Sequence, residues 1–255
     1  MDVYFLNHWP ERSDRGAAEA LRLVPDARLT RIDAGEGPAH WSASECWRDW
    51  NTGEETTDRQ IACTANHVKA WAAIAWSGRP GLIVEDDLFV GRAVENGDLR
   101  ADVTLLGYDL VGPAPRDLYG GSHHLVTERF AVCGGHCYAT TSDAARRLIE
   151  AFRPHAVVPN DVYLSYHLGA GSAFGPMDYF ADQEQPLKLT GWLVADRLAL
   201  NGSGSLIDGV RSTLFPYDPP EEEVLHVRDR ADAMRQIMQR NDGFGTGRGI
   251  RIMET

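Results

Sequence analysis

The chain has 255 residues and a mass of 28.2 kDa, and 43% of its residues are hydrophobic, enough for one substantial α/β core and too little for a second large one. Its formal charge of −12 and pI near 5.1 argue against a protein that wraps nucleic acid by neutralising phosphates, while leaving room for a local basic groove.

Val3 to Asn7 reads as a first strand, Asp14 to Leu23 as a helix and Ala27 to Asp33 as a second strand. The opening MDVYFLNHWPERSDR carries charges and a proline where a signal peptide needs an apolar centre. No run approaches the roughly 20 apolar residues of a membrane span, so a cytoplasmic protein is expected. Gly35 to Glu55, with Trp41, Trp47 and Trp50 in a polar setting, reads as a long ordered loop. Asp58 to Ser77 places Ile61, Ala65, Val68, Ala72 and Ala75 at three- and four-residue spacing, the pattern of an amphipathic helix. Thr57 or Asp58 can cap its start, and Gly78 with Pro80 stops it.

The apolar run Gly81-Leu82-Ile83-Val84 then reads as a buried strand ending in Glu85-Asp86-Asp87. Three like charges beside an apolar strand repel one another and are costly to desolvate, so they call for a cation, most simply a divalent metal with hard oxygen ligands. The chemistry this suggests is a nucleotide diphosphate bridged by Mg²⁺ or Mn²⁺. The plainer reading is a solvated acidic turn. Helix, short turn, strand and acidic end together form the unit by which α/β proteins deliver ligand groups to the carboxyl edge of a sheet.

Farther on come a strand at Val103 to Tyr108, a Gly- and Pro-rich loop from Val111 to Gly121, and strands at Phe130 to Cys133 and His136 to Thr140. A helix from Ser142 to Phe152 follows, with Ser142 as its N-cap. The alternation predicts an α/β fold, a mostly parallel central sheet flanked by helices. Pro219-Pro220-Glu221 opens a predicted helix to Arg240, ended by a mobile Gly-rich run through Gly249. That run contains GxGxG, yet no predicted strand precedes it, so it fails the context test of a dinucleotide loop. The arginines between Arg235 and Met253 make either an acceptor or partner contact or a solvated tail. The expected division is residues 1–215 as the main domain and 216–255 as a C-terminal helix and flexible tail.

The four cysteines, Cys46, Cys63, Cys133 and Cys137, form no CxxC zinc pattern. Cys133 and Cys137 give a weak metal signal, with reduced core thiols as the alternative, and a reducing compartment is expected.

The run CTANHVKAWAAIAWSGRPGLIVEDD resembles the segment of glycosyltransferase family 25 that usually reads G-C-x-x-S-H-x-x-x-W followed by L-I-L-E-D-D. That family includes lipo-oligosaccharide and collagen hydroxylysine galactosyltransferases. Four further matches lie in family order. VYFLNHWPERSDR resembles the opening I-N-L-x-x-x-x-x-R-x-x-R, Ala101 to Gly107 the D-x-x-x-L-G strand, Gly135 to Ala145 the G-x-x-A-Y-x-x-S-x-x-x-A segment, and Pro159-Asn160-Asp161-Val162-Tyr163-Leu164 the P-x-D-x-x-L segment. Asn66 stands where the family usually has Ser, and Cys137 replaces its Ala; beyond about residue 190 nothing matches.

The resemblance implies a single GT-A-like (Rossmann-like) domain that transfers a hexose, galactose or glucose, from a UDP-sugar to a hydroxyl acceptor with inversion, using Mn²⁺ or Mg²⁺. It places Asp87 and then Glu85 on the metal and Asp86 on ribose or sugar hydroxyls. Asn7, Arg12 and Arg15 would lie at the uridine and its phosphates, with surface charge as the alternative. His67 would orient a carboxylate or touch the nucleotide, or else be a satisfied core histidine. Asp161 is the candidate base for the acceptor hydroxyl or, alternatively, a helix cap, with Asp178 or Asp182 next in line. His167 is a candidate third metal ligand, and His123 and His124 are candidate acceptor contacts. A glycan, as in lipopolysaccharide biosynthesis, or a protein hydroxyl is the expected acceptor, ahead of hydroxymethylated bases of viral DNA. A metal-dependent nucleotide-sugar or phosphoester hydrolase and a non-catalytic binding domain are the competing classes.

Overall fold

The computed structural model describes residues 1–49, 53–95, 97–111, 123–126, 131–170, 180–194, 199–201, 222–229, 232, 236 and 249–254. Strand β1 (Asp2–Asn7) leads through a 3₁₀ turn (Pro10–Arg12) into α1 (Ser13–Leu23), and β2 (Arg28–Asp33) returns beside β1. Helix α2 (Asp58–Ser77) precedes β3 (Gly81–Glu85) and the short β4 (Leu88–Val90). Then come β5 (Val103–Val111), β6 (His123–Leu125), β7 (Ala131–Thr140), α3 (Ser142–Ala151), α4 (Asn160–His167), β8 (Gly191–Val194) and β9 (Ala199–Asn201). Last are β10 (Glu222–Val227) and β11 (Gly249–Glu254).

Among the described residues the main sheet has seven strands in the order β2-β1-β3-β7-β5-β8-β6. β1 runs parallel to β2 and β3, and β5 runs parallel to β8. β7 is antiparallel to both β3 and β5, and β6 is antiparallel to β8. β2, β1, β3, β5 and β8 therefore share one direction, which is the expected α/β sheet, mostly parallel, with one reversed strand inside it and one at its edge.

The apolar runs of β1 and β3 are continuous because both faces of the sheet are covered. Tyr4, Leu6 and Ile83 join one core with Trp71, Ile74, Leu148 and Tyr163 from α2, α3 and α4. Val3, Phe5, Leu82 and Val84 join the other with Ala20 and Leu23 of α1. Successive strand residues thus alternate between two cores, as the period of two requires.

Helix α2 starts and stops where its sequence says. Thr57 and Gln60 form a reciprocal capping box, and Gly78 closes the helix at φ 68°. Its buried side differs from the expected stripe: Ala72 is exposed, while Thr64, Asn66 and His67 are buried. The helix packs into a polar seam as well as the core, so its inward face includes hydrogen-bonding side chains.

Several expectations are corrected. The N-cap of α3 is Thr141, whose side chain accepts from the Ala144 N–H, because Thr141 keeps the extended backbone of β7 while Ser142 is already helical. The two strands expected between Phe130 and Thr140 are one, β7. The segment after Gly35 is anchored: Trp47 is buried in the main core, Trp41 packs on Phe152 at 4.8 Å, and Ala43 bridges to Val157. At the start of the expected C-terminal helix, Glu222 to Val227 instead forms β10, paired in parallel with β11, while Asp232 and Gln236 farther along are helical. Glu222 to Val227 is too short to show a helical period and is rich in valine, which favours a pleated strand. Trp50, most of the Gly- and Pro-rich loop, Asp178, the side chain of Cys133 and the Gly-rich run before Gly249 lie outside the described residues.

Candidate functional site

Glu85 is the last residue of β3, and Asp86 and Asp87 make the turn into β4. Because β1 and β3 are parallel neighbours, their carboxyl ends meet at this turn, the edge where open α/β sheets bind ligands. Gly16 on α1 sits directly against it. A Cβ there would lie 2.9 Å from the Asp86 Cα and 2.8 Å from the Phe5 ring, so only glycine lets the helix approach this closely.

A cleft of about 210 Å³ opens at the turn, lined by all three carboxylates together with Trp9, Arg12 and Arg59. Asp86 is 2% exposed and accepts a hydrogen bond from the Trp9 N–H. Burial pushes its carboxyl up to about 7; the Trp9 N–H pulls the other way, and the neighbouring Asp87 and Glu85 add to the rise. Such a set of hard oxygen donors fits a divalent cation, which would relieve the mutual repulsion.

Arg12 brings a guanidinium nitrogen to 4.0 Å from Asp87. Arg59 lies over the Trp9 ring at 4.2 Å, with Arg12 at 5.9 Å from the same ring. Burial and the nearby charge of Arg12 both lower the pKa of Arg59. Two guanidiniums held this close, beside a metal-capable turn, make a natural seat for phosphate oxygens. Arg59 went unnoticed in the sequence, yet a signal was there: a cation in the first turn of a helix opposes the helix dipole and calls for another reason.

His67 lies beneath the turn, fully buried and outside the cleft lining. Burial drops its pKa to about 3, with Asp161 opposing, so the ring is neutral. The Trp71 Nε1–H donates to the Tyr138 hydroxyl at 2.8 Å, and that hydroxyl pairs with His67 Nδ1 at 3.0 Å. Tyr138 stays protonated because burial raises its phenol well above 10. A neutral ring that accepts from Tyr138 carries its proton on Nε2, which donates to Glu85 at 2.9 Å. Trp71, Tyr138 and His67 therefore form one hydrogen-bonded chain that ends on Glu85.

The remaining residues separate. Asn7 is 1% exposed and donates to Asp33 at 3.0 Å, tying the ends of β1 and β2 rather than lining the cleft. Arg15 sits half-buried on α1, also outside the lining. Asp161 stands in the first turn of α4, where one carboxylate oxygen accepts from the Val162 N–H at 2.9 Å. The N-cap itself is Pro159, and Asp161 is close enough to His67 and Cys63 to act on their charges.

His167 is not brought to the carboxylates. At the end of α4 its Nδ1 accepts from the Leu187 N–H at 3.2 Å and its ring packs against Tyr163 and Tyr166, while burial drops its pKa to about 3. Asp182 accepts from Ser44 Oγ at 2.6 Å and so anchors the segment after Gly35. His123 and His124 lie on edge strand β6, four strand spacings or roughly 19 Å from β3.

The sequence also missed His8 and Cys63. The His8 Nε2 lies 3.6 Å from Cys63 Sγ and its Nδ1 lies 3.3 Å from the Asn66 amide. Burial lowers the pKa of His8, against the pull of Glu85, and raises that of Cys63 well above 9, so both are neutral in the metal-free protein. Cys63 stands one helical turn before His67, a local signal, but His8 reaches Cys63 only through the meeting of β1 with α2.

No protein-family model matches the chain, and no curated protein matches it. Among solved structures, mannose-1-phosphate geranyltransferase from Thermus thermophilus aligns with 100% of this chain and 90% of its own, at 13% identity and a TM-score of 0.33. A likeness that low carries no argument about activity. Among the described residues no helix is long and apolar enough to cross a membrane.

Proposed function

We propose that this chain is a metal-dependent glycosyltransferase that moves a hexose, galactose or glucose, from a UDP-sugar to a hydroxyl acceptor with inversion. The observation that carries the reading is the Glu85-Asp86-Asp87 turn in a cleft that also holds Arg12 and Arg59. Asp87, Glu85 and Asp86 would hold Mn²⁺ or Mg²⁺, which supplies Lewis-acid stabilisation of the departing diphosphate. Membership of glycosyltransferase family 25, and with it a GT-A fold, belongs to the same proposal and rests on the five ordered sequence matches between residues 3 and about 165.

The chain's own groups divide the remaining work. Arg12 and Arg59, both near the Trp9 ring, neutralise phosphate oxygens. His67 keeps Glu85 in its working orientation. Asp161 takes the acceptor proton as the acceptor oxygen bonds to the anomeric carbon and the bond from that carbon to the phosphate oxygen breaks. A glycan or protein hydroxyl is the favoured acceptor, since the net charge of −12 disfavours DNA.

The test is UDP binding and turnover with and without Mn²⁺. UDP binds far more tightly with the metal, and Asp87→Asn removes most of that gain, on the order of 100-fold. Donor consumption then accelerates with the right acceptor and gives a glycosylated product. Equal UDP affinity in metal and in chelator overturns the metal assignment, and rapid turnover in water unaffected by any acceptor makes the protein a hydrolase.

A further inference from the structure

Glu85 also belongs to a second group of potential ligands, of a different chemical character. One donor atom each from His8, Cys63, His67 and Glu85 lies within 4.8 Å of the others. The four come from three elements: His8 follows β1, Cys63 and His67 stand one turn apart on α2, and Glu85 ends β3. Residues at that helical spacing share a face. The observed separations are 3.6 Å for His8 Nε2 to Cys63 Sγ and 2.9 Å for His67 Nε2 to Glu85 Oε1. A tetrahedral zinc ion with bonds of about 2.0 to 2.3 Å needs neighbouring donors roughly 3.3 to 3.8 Å apart, so small side-chain shifts close the set.

The surroundings carry the argument beyond proximity. Both imidazoles turn Nε2 into the group and are gripped from outside through Nδ1, His8 by the Asn66 amide at 3.3 Å and His67 by the Tyr138 hydroxyl at 3.0 Å. Holding the ring through its far nitrogen is how proteins orient metal-binding histidines. Tyr138 is in turn fixed by Trp71, at 2.8 Å.

We propose that His8, Cys63, His67 and Glu85 form a binding site for a thiophilic divalent cation, zinc above all. One thiolate, two imidazoles and one carboxylate are a poor set for Mg²⁺ and a good one for Zn²⁺. The site is distinct from the Asp86–Asp87 donors yet shares Glu85 with them, so a zinc ion here draws Glu85 away from the hard-metal set and pins α2 to the ends of β1 and β3. Binding expels the Cys63 thiol proton to solvent. The Nε2 proton of each imidazole passes to Nδ1: the Tyr138 hydroxyl changes from donor to acceptor towards His67, and the Asn66 amide turns its oxygen towards His8, releasing Lys69.

The test uses Co²⁺ as a coloured stand-in, titrated into the full-length metal-free protein and then displaced with Zn²⁺. One tetrahedral Co²⁺ with a sulfur-to-cobalt charge-transfer band is expected, and Zn²⁺ abolishes it. Cys63→Ser loses the band, His8→Ala weakens Zn²⁺ binding by at least about tenfold, and Asp87→Asn keeps the band. Melting curves with and without Zn²⁺ give a second readout: an ion that binds only the folded chain raises the melting temperature, in the wild type and not in His8→Ala. A six-coordinate Co²⁺ spectrum without a thiolate band, or a band that survives Cys63→Ser, overturns the proposal. None of these readouts depends on UDP or on transfer, so the site stands or falls apart from the glycosyltransferase reading.

Discussion

Two fully buried histidines, His67 on α2 and His167 on α4, have the same pKa of about 3 and opposite significance. Around His67 the neighbours are Glu85, Tyr138 and Trp71, and the next residue outward is an acidic turn open to a cleft. Around His167 they are a peptide N–H and two tyrosine rings, with Arg147 the nearby charge. A buried, neutral histidine is therefore not a functional signal in itself. What distinguishes the α2–β3 seam is that its histidine hydrogen-bonds a carboxylate that also lines the cleft, whereas His167 hydrogen-bonds a peptide N–H inside the core.

The contrast breaks most plainly at Asp161, which faces the His67 side. Asp161→Asn keeps the size of the side chain and removes the proton acceptor, so transfer falls by roughly 10² to 10⁴ while UDP affinity measured calorimetrically stays within a few-fold. Activity that survives within a few-fold makes Asp161 a helix-start residue like any other. Next in size is His67→Phe, which frees Glu85 and lowers Mn²⁺-dependent UDP affinity by about 10 to 100-fold, leaving affinity in chelator unchanged. The same substitution at His167 leaves the metal-dependent part of the affinity as it was. If the two variants lose it equally, the distinction between seam and core is wrong.

A pH series sharpens the other half of the contrast. The folded value of His167, about 3, lies below the unfolded 6.5, so between those values the unfolded chain binds the proton and the folded one does not. Stability is full above about pH 6.5 and falls as the pH drops towards 3, by about 2 kcal/mol from this group between pH 7.5 and pH 5. His67 adds its own share with the same sign. His167→Gln removes one share, so its denaturation midpoints decline less steeply with acid than those of the wild type; an unchanged slope refutes the buried neutral ring. At Gly16, Ala pushes α1 off the acidic turn at a cost of about 1 to 3 kcal/mol, read as a lower denaturant midpoint.

The amino-acid sequence by itself determined the elements whose signals are local. The apolar runs of β1 and β3, the Thr57 cap, the Gly78 stop and the three carboxylates after Val84 were legible because each depends on residues within one turn or one strand of one another. Pattern also sufficed for the α/β class and the common direction of most strands. Local reading failed at β10, where Glu222 to Val227 was read as the start of a helix and pairs with β11 as a strand. Only the tertiary structure decided which polar side chains meet. His8 finds Cys63 across 55 positions and Trp9 binds Asp86 across 77, while Arg59 finds its ring only once α2 is laid beside the end of β1. His67, expected at a carboxylate or the nucleotide, and His167, expected at the metal, were separated by the packing of α2 against β3 and of α4 into the aromatic core. A hydrogen bond or an ion pair reaches only a few ångströms, so which of two like residues receives a partner is fixed by where the fold sets its neighbours, and no spacing along the chain encodes that.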